Sequence, residues 1–440
     1  MASAWTQPGF ARRSPSRGGA GTLPGSPQLK SRYLRGLVFL AALGLAACSA
    51  TTDSLGFNST ESKKLLPLTP PASYPNAFRD LLGQSDAAIS AKINSTFNAL
   101  FHGSPPFAIY VPVGTDQAYI EDTFHNNQIR TEGMGLGMMI CVELDKRDEF
   151  DRLWTYAKEV IQTRTGPDAG YFPSFCDDAS GTTTTSCLDP YGFEQFVTAL
   201  IFANDRWSST GTIDYATDAL ALFHTLHHKQ DDNGGIVNGV TNMFDATTNL
   251  PFDVPDVSAA GVTRPSLIMP GYYALWAEAD ADPVWTAAAE RGRAFWQSAA
   301  NPSTGFTPVR AGFDGAPLPG WATFQAEGYR VQISAVIDQI WSGGNAWNVA
   351  ETNQLLAFFT SQGPNYARFF TLDGMVVDPM HDPSLVIANG IAALASTNVD
   401  RASYVSAVWN MDPPVGDGRY FSGILDMLGL LILSGQFRVY

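Results

Sequence analysis

Twelve stretches of this chain carry apolar residues at helical spacing, and almost nowhere does the two-residue alternation of a half-buried strand appear. They lie near 86–101, 132–144, 148–163, 192–206, 213–228, 267–278, 283–299, 321–341, 348–361, 384–396, 401–409 and 419–434. Asp148, Thr212 and Asp382 suit helix starts, and Gly103 and Gly435 suit helix stops. Some of the helices must be hydrophobic on nearly every side, and such a helix has no face to give to water. Twelve alternating helices with an inner set of that kind describe an all-α fold, an (α/α)6 barrel of six inner and six outer helices. The connections alternate between short and long. The long ones, near 103–130, 164–190, 229–265, 300–320 and 362–383, hold aromatic and carboxylate residues. In a barrel of this type they gather at one end and shape a cleft over a rigid scaffold.

The barrel is not expected to begin at residue 1. Arg12, Arg13, Arg17, Lys30, Arg32 and Arg35 precede the apolar run 37–47, which is too short to span a bilayer and ends in small residues. Leu45-Ala46-Ala47-Cys48 has the form of a bacterial lipobox. Residues 1–48 therefore read as a lipoprotein-type signal peptide, cleaved before Cys48 with lipid attached there; an ordinary signal peptide cut near Ala47 is the other reading. Residues 49–76, rich in Ser, Thr and Pro, read as a flexible tether, and 77–440 as the folded domain. The expected location is the cell envelope, anchored by lipid to the outer membrane or cell surface. Export permits disulfides. Cys176 and Cys187 flank a polar loop and are candidates to close it, whereas Cys141, inside an apolar helical stretch, reads as a buried thiol.

A net charge of −15 argues against a nucleic-acid partner, since a polyanion would be repelled. It suits a neutral partner such as a sugar, and aromatics at 12% leave rings to spare for a cleft. The run Arg130-Thr131-Glu132-Gly133-Met134-Gly135-Leu136-Gly137 sets one glutamate beside an arginine at the start of a glycine-spaced apolar helix. Such a carboxyl either stabilises the helix start or serves as an acid whose pKa its surroundings tune. A nucleotide loop fits worse, because the glycines run G-x-G-x-G and no apolar strand precedes them. His224, His227 and His228 lie at helical spacing, but no cysteine or assembled carboxylate accompanies them, so no metal or other cofactor is expected. A G-x-S-x-G nucleophile elbow is absent, which weakens an esterase reading.

The same glutamate opens a longer pattern. Arg130 to Met139, Leu144-Asp145-Lys146, Glu149 to Trp154, Gly170-Tyr171-Phe172, Tyr272 to Ala277, Tyr329-Arg330-Val331, Asp338, Trp341, His381 and Arg419-Tyr420-Phe421 resemble glycoside hydrolase family 8. Within it they are nearest the reducing-end xylose-releasing exo-oligoxylanases. The resemblance runs in order over about 75–440 and implies the (α/α)6 barrel and an inverting cleavage of β-1,4-linked oligosaccharides. Inversion needs one carboxyl to protonate the leaving oxygen and a second, set apart, to activate water. The resemblance puts Glu132 at the general acid, with Arg130 beside it to orient it or balance its charge. It puts Glu327 at the base, where the family branch has an aspartate, so its oxygen reaches about 1 Å further. The other reading of Glu327 is a helix-start carboxylate that pairs with Arg330. His381 matches a histidine that recognises the reducing-end sugar.

Other sugar-contacting positions depart from the family together. Tyr191 stands for an aspartate, with Asp189 and Glu194 nearby. Ser174 stands for a tryptophan, and Arg264-Pro265-Ser266-Leu267 replaces an Asp-Pro-Ser-Tyr segment. Arg130, Tyr191, Arg264, Tyr329, Arg330 and His381 are the expected substrate-binding residues, and an oligosaccharide is the expected partner. Release of xylose from the reducing end of xylo-oligosaccharides is the leading activity. A related endo-β-1,4-glucanase or chitosanase, or a non-catalytic carbohydrate-binding lipoprotein, are the alternatives.

Overall fold

The computed structural model describes residues 63–183 and 187–440. The signal-peptide and Cys48 expectations lie outside the described residues. Thirteen α-helices are present among them: α1 Ala77–Leu82, α2 Asp86–His102, α3 Thr131–Glu143, α4 Arg147–Tyr156, α5 Pro190–Trp207, α6 Tyr215–Asn233 and α7 Pro270–Asp280. The rest are α8 Pro283–Ala299, α9 Ala326–Ser342, α10 Ala346–Gln362, α11 Pro383–Ala392, α12 Arg401–Trp409 and α13 Phe421–Leu433. All twelve expected helices are there, most with ends shifted by a few residues. The additional one, α1, is too short to show a period. It forms because Asn76 caps its start and Gly83, at φ 68°, ends it.

The inner ring runs α3, α5, α7, α9, α11, α13, each packed on the next, with α13 closing back onto α3. The outer helices α4, α6, α8, α10, α12 and α2 back them in the same order. Burial follows this division. In α3 every residue but Glu132 is buried, and α11 and α13 are buried almost throughout. Outer α4 buries only the stripe Phe150, Leu153, Trp154 and Tyr156. Each outer helix returns the chain to the same end, so the inner helices run parallel and their N-termini share one mouth.

The long connections build three small antiparallel sheets that the sequence pattern did not disclose: β1 Tyr110–Val113 to β4 Phe175–Cys176 through β2 Gln117–Asp122 and β3 Gln128–Arg130; β5 Val262–Thr263 with β6 Ala311–Gly312; and β7 Thr323–Phe324, β8 Phe369–Thr371 and β9 Val376–Asp378. Strands of two to six residues are too short to show alternation against a helical background.

Two expectations are corrected here. The stretch expected to be a tether to residue 76 is held against the barrel from Lys63 onward. Lys63 pairs with Asp280 at 2.7 Å, the Leu68 amide bonds Asp205, the Thr69 amide bonds Glu278, and Leu68 is buried. The Cys176–Cys187 bridge is not formed, and both residues are thiols. Strand register is the reason: Cys176 sits buried opposite Ile129, while it is Ser174 whose amide bonds the Cys187 carbonyl. Cys141 is a fully buried thiol in α3, as its apolar setting implied.

Candidate active site

Glycines govern how closely α3 and α5 approach at the mouth. A Cβ on Gly192 would lie 2.5 Å from the Thr131 carbonyl carbon and 2.6 Å from the Glu132 amide nitrogen. One on Gly135 would lie 2.8 Å from the Gly192 oxygen. With no side chain at either position, the backbones touch, and the first turn of α3 holds Glu132 partly exposed at the barrel end. The helix N-terminus favours a carboxylate there.

Facing it from the first turn of α9 is Glu327. One guanidinium serves both: Arg330 lies 2.5 Å from Glu132 Oε1 through Nη2 and 3.5 Å from Glu327 Oε2 through Nη1. Two contacts of that length across one guanidinium keep the carboxylates no more than about 8 Å apart, compatible with the roughly 6.5–9.5 Å of inverting glycosidases. Arg330 is itself fixed by aromatic faces, 4.5 Å from the Tyr191 ring centre and 5.5 Å from that of Phe421.

From Glu327 the network continues outward. Ser266 donates a short hydrogen bond to Glu327 Oε2, and Arg264 Nη1 stands 3.4 Å from Oε1. Arg264 Nε pairs with Asp253 at 2.6 Å, and Asp253 in turn pairs with Arg310 at 3.1 Å. The result is an alternating ladder of acid and base: Glu132, Arg330, Glu327, Arg264, Asp253, Arg310. Burial pushes the Glu327 carboxyl up, but the Arg330 and Arg264 charges and the Ser266 hydrogen bond outweigh it and hold it below its ordinary value. Asp189 caps α5 beside this group. Burial, then the Glu132 charge, pushes it up to about 6.

Of the residues expected from sequence, Glu132, Glu327, Arg330, Tyr191 and Arg264 meet at this point. Two expectations are corrected. Arg130 does not balance Glu132; its Nε bonds Asp122 at 2.5 Å, and it lies over Phe175. Tyr329 cannot touch a sugar, because it is fully buried with its hydroxyl on the Arg368 carbonyl. Arg264, for its part, is flanked by Asp253 and Glu327. His381 stands exposed at the start of α11, with Nδ1 2.8 Å from the Tyr366 carbonyl oxygen. The three spaced histidines take separate partners: His224 with Asp232, His228 with Asp231, and the half-buried His227 against Phe244 and Trp285. Sequence reasoning missed Asp253, Arg310 and the role of Ser266. They sit in irregular loops where no periodicity points at them.

Two part-exposed carboxylates, held on one arginine in the mouth of a double helical barrel, define an acid–base hydrolase of glycosidic bonds. Residues 113–435 match the family described as glycosyl hydrolases family 8. The chain belongs to that family, and is an inverting O-glycosyl hydrolase. It is similar to the reducing-end xylose-releasing exo-oligoxylanase Rex8A of Paenibacillus barcinonensis, 33% identical over 382 residues, which are 84% of this chain and 97% of that protein. A reducing end xylose-releasing exo-oligoxylanase of Halalkalibacterium halodurans is 33% identical over 83% of this chain and 94% of its own. The structure of Rex8A complexed with xylose superposes with a TM-score of 0.79 at 33% identity, covering 84% of this chain and 98% of that one. Endoglucanase 2 of Ruminiclostridium josui is more distant, 25% identical over 72% of this chain and 65% of that protein.

Proposed function

We propose that this hydrolase releases xylose from the reducing end of β-1,4-linked xylo-oligosaccharides, with Glu132 as general acid and Glu327 as general base. The observation that carries the assignment of roles is the pair of carboxylates on Arg330 at the barrel mouth. Glu327 is held ionised at neutral pH, as a base must be. It takes a proton from water as the oxygen attacks the anomeric carbon. Glu132 gives its proton to the departing glycosidic oxygen on the opposite face, so configuration inverts. Arg330 keeps the two carboxyls in register and steadies the charge that moves between them. The exo-oligoxylanase reading rests on the two 33% identical relatives and on His381 at the rim. A product profile tests it. Xylotetraose should yield xylose and xylotriose first, with the free reducing-end sugar released. Xylobiose as the first main product, or turnover of cello- or chito-oligosaccharides alone, would overturn the reading in favour of an endo-acting or glucan-cleaving enzyme.

We further propose that the chain is exported and lipid-anchored through Cys48. The basic region, short apolar run and Leu45-Ala46-Ala47-Cys48 sequence support this.

A further inference from the structure

The ladder of charges does not end at the catalytic pair, and its far end carries an unassigned feature. Arg310 lies opposite Arg264 across the β5–β6 pairing, because Thr263 faces Ala311 in register. Among the described residues Asp253 is the only carboxylate paired with Arg310, and Asp253 is shared with Arg264. Arg310 is partly exposed, and its guanidinium carbon lies 4.3 Å from the ring centre of Trp321. Trp321 is half-buried in the loop that leads within six residues to Glu327, and its carbonyl accepts from the Val309 amide, one residue from Arg310. Guanidinium and indole are thus fixed to each other and to both segments that frame the base.

The charge count along the ladder matters. With Glu132 ionised, three guanidiniums meet three carboxylates. A general acid must be protonated before it reacts, and then Arg330, Arg264 and Arg310 keep Glu327 and Asp253 as their ion-pair partners, with Asp189 buried beside Arg264 and Arg330. Protonation of Glu132 therefore removes one negative charge from the site, and Arg310, at the open end, keeps a single carboxylate that it shares with Arg264.

Resting on the xylo-oligosaccharide reading above, we propose that Arg310 and Trp321 form a subsite for a sugar that bears a carboxylate, a uronic acid branched from the xylose chain. Trp321 offers an apolar platform for the C–H face of a ring, and Arg310 offers a planar, two-pronged donor to a carboxylate. Recognition of the branch is strongest in the protonated, reactive state, so it favours turnover of branched over plain chains.

The test uses the full-length protein with Glu132→Gln, which removes the carboxylate charge as protonation does and leaves the oligosaccharide intact. Calorimetry compares plain xylotetraose with the same oligosaccharide carrying one glucuronic acid branch. The branched form should bind about fivefold tighter at low ionic strength, with the advantage falling below about twofold near 0.5 M salt. Adding Arg310→Gln should bring the ratio of the two affinities to about one, and Arg310→Lys should keep part of it, because charge survives without the planar fork. Trp321→Ala should weaken the branched ligand and leave plain xylotetraose unchanged. Equal affinities with Arg310 in place, or a ratio untouched by Arg310→Gln, would overturn the subsite, and unchanged binding of the branched ligand in Trp321→Ala would remove the platform. Should Arg310→Gln fail to fold, the salt series and Arg310→Lys still decide. The failure of the substrate reading looks different: neither oligosaccharide then binds, and the protein with Glu132 intact frees no xylose.

Discussion

Replacing Glu327 separates a catalytic base from a structural counter-ion, and the structure predicts different magnitudes for each substitution. Glu327→Gln keeps the volume and the contact with Ser266 but removes the proton acceptor, and loss of a general base lowers turnover by about 10²–10⁴-fold. Glu327→Ala in addition leaves Arg264 and Arg330 facing each other without their shared carboxylate. Breaking a wholly buried pair costs about 3–5 kcal/mol, and since the Glu327 side chain is 23% exposed, a loss of about 2 kcal/mol is expected. Glu327→Asp retains the acceptor at about 1 Å shorter reach and should keep turnover within about tenfold of wild type. The pH profile carries a further sign. The Glu327 carboxyl is held below its ordinary 4.5, so the acid limb of kcat/KM should lie below that pH. Arg264→Gln should move the limb upward by removing one of the charges that hold it. The linked stability is present above the unfolded-state pKa and is lost as pH falls through the folded one. The assay is the initial rate of xylose release from xylotetraose per folded molecule, with folding read by near-ultraviolet circular dichroism and thermal melting. A folded Glu327→Gln protein that turns over within tenfold of wild type would refute the reasoning.

Glu132→Gln should bind oligosaccharide yet lose turnover on natural substrates by orders of magnitude, while a substrate with a good leaving group, which needs less protonation, keeps part of its rate; equal losses on both substrates would count against an acid role. Glu351, buried in α10, is pushed up to about 8 by desolvation, so folding stability is full below the unfolded-state pKa and is lost as pH rises through about 8. Glu351→Gln should therefore melt higher than wild type at pH 9, with the gap closing below about pH 4; a constant gap across that range would contradict this. Detergent-phase partitioning should retain the wild-type chain and release or leave unprocessed Cys48→Ser, and an unlipidated wild-type N-terminus at Cys48 would dismiss the anchor.

The twelve barrel helices were legible in the chain because a repeating apolar face is a local signal, written at 3.6-residue spacing in each segment. Glu132 was legible for the same reason: it opens a helix whose glycines and methionines leave no polar face, so the one carboxyl at its start stands out. Glu327 and Arg330 were assigned through the family resemblance around Tyr329-Arg330, and their place within one helical turn indicated only that the two could pair. The strand pieces, the anchoring of 63–76 and the separation of Cys176 from Cys187 were not legible, since each depends on register with segments far along the chain. The partnership that matters most, Glu132 with Arg330, joins residues 198 positions apart, and neighbours in sequence were a false guide: Arg130 turns to Asp122 instead. Tyr329 and Arg330 differ by one position and by a helical step of about 100°, which buries the first and brings the second to the mouth. Local sequence thus determined which segments are helical and which carboxyls stand at their starts. Closure of the ring decided which charges meet, because only three-dimensional proximity fixes the sign and number of charges around each group.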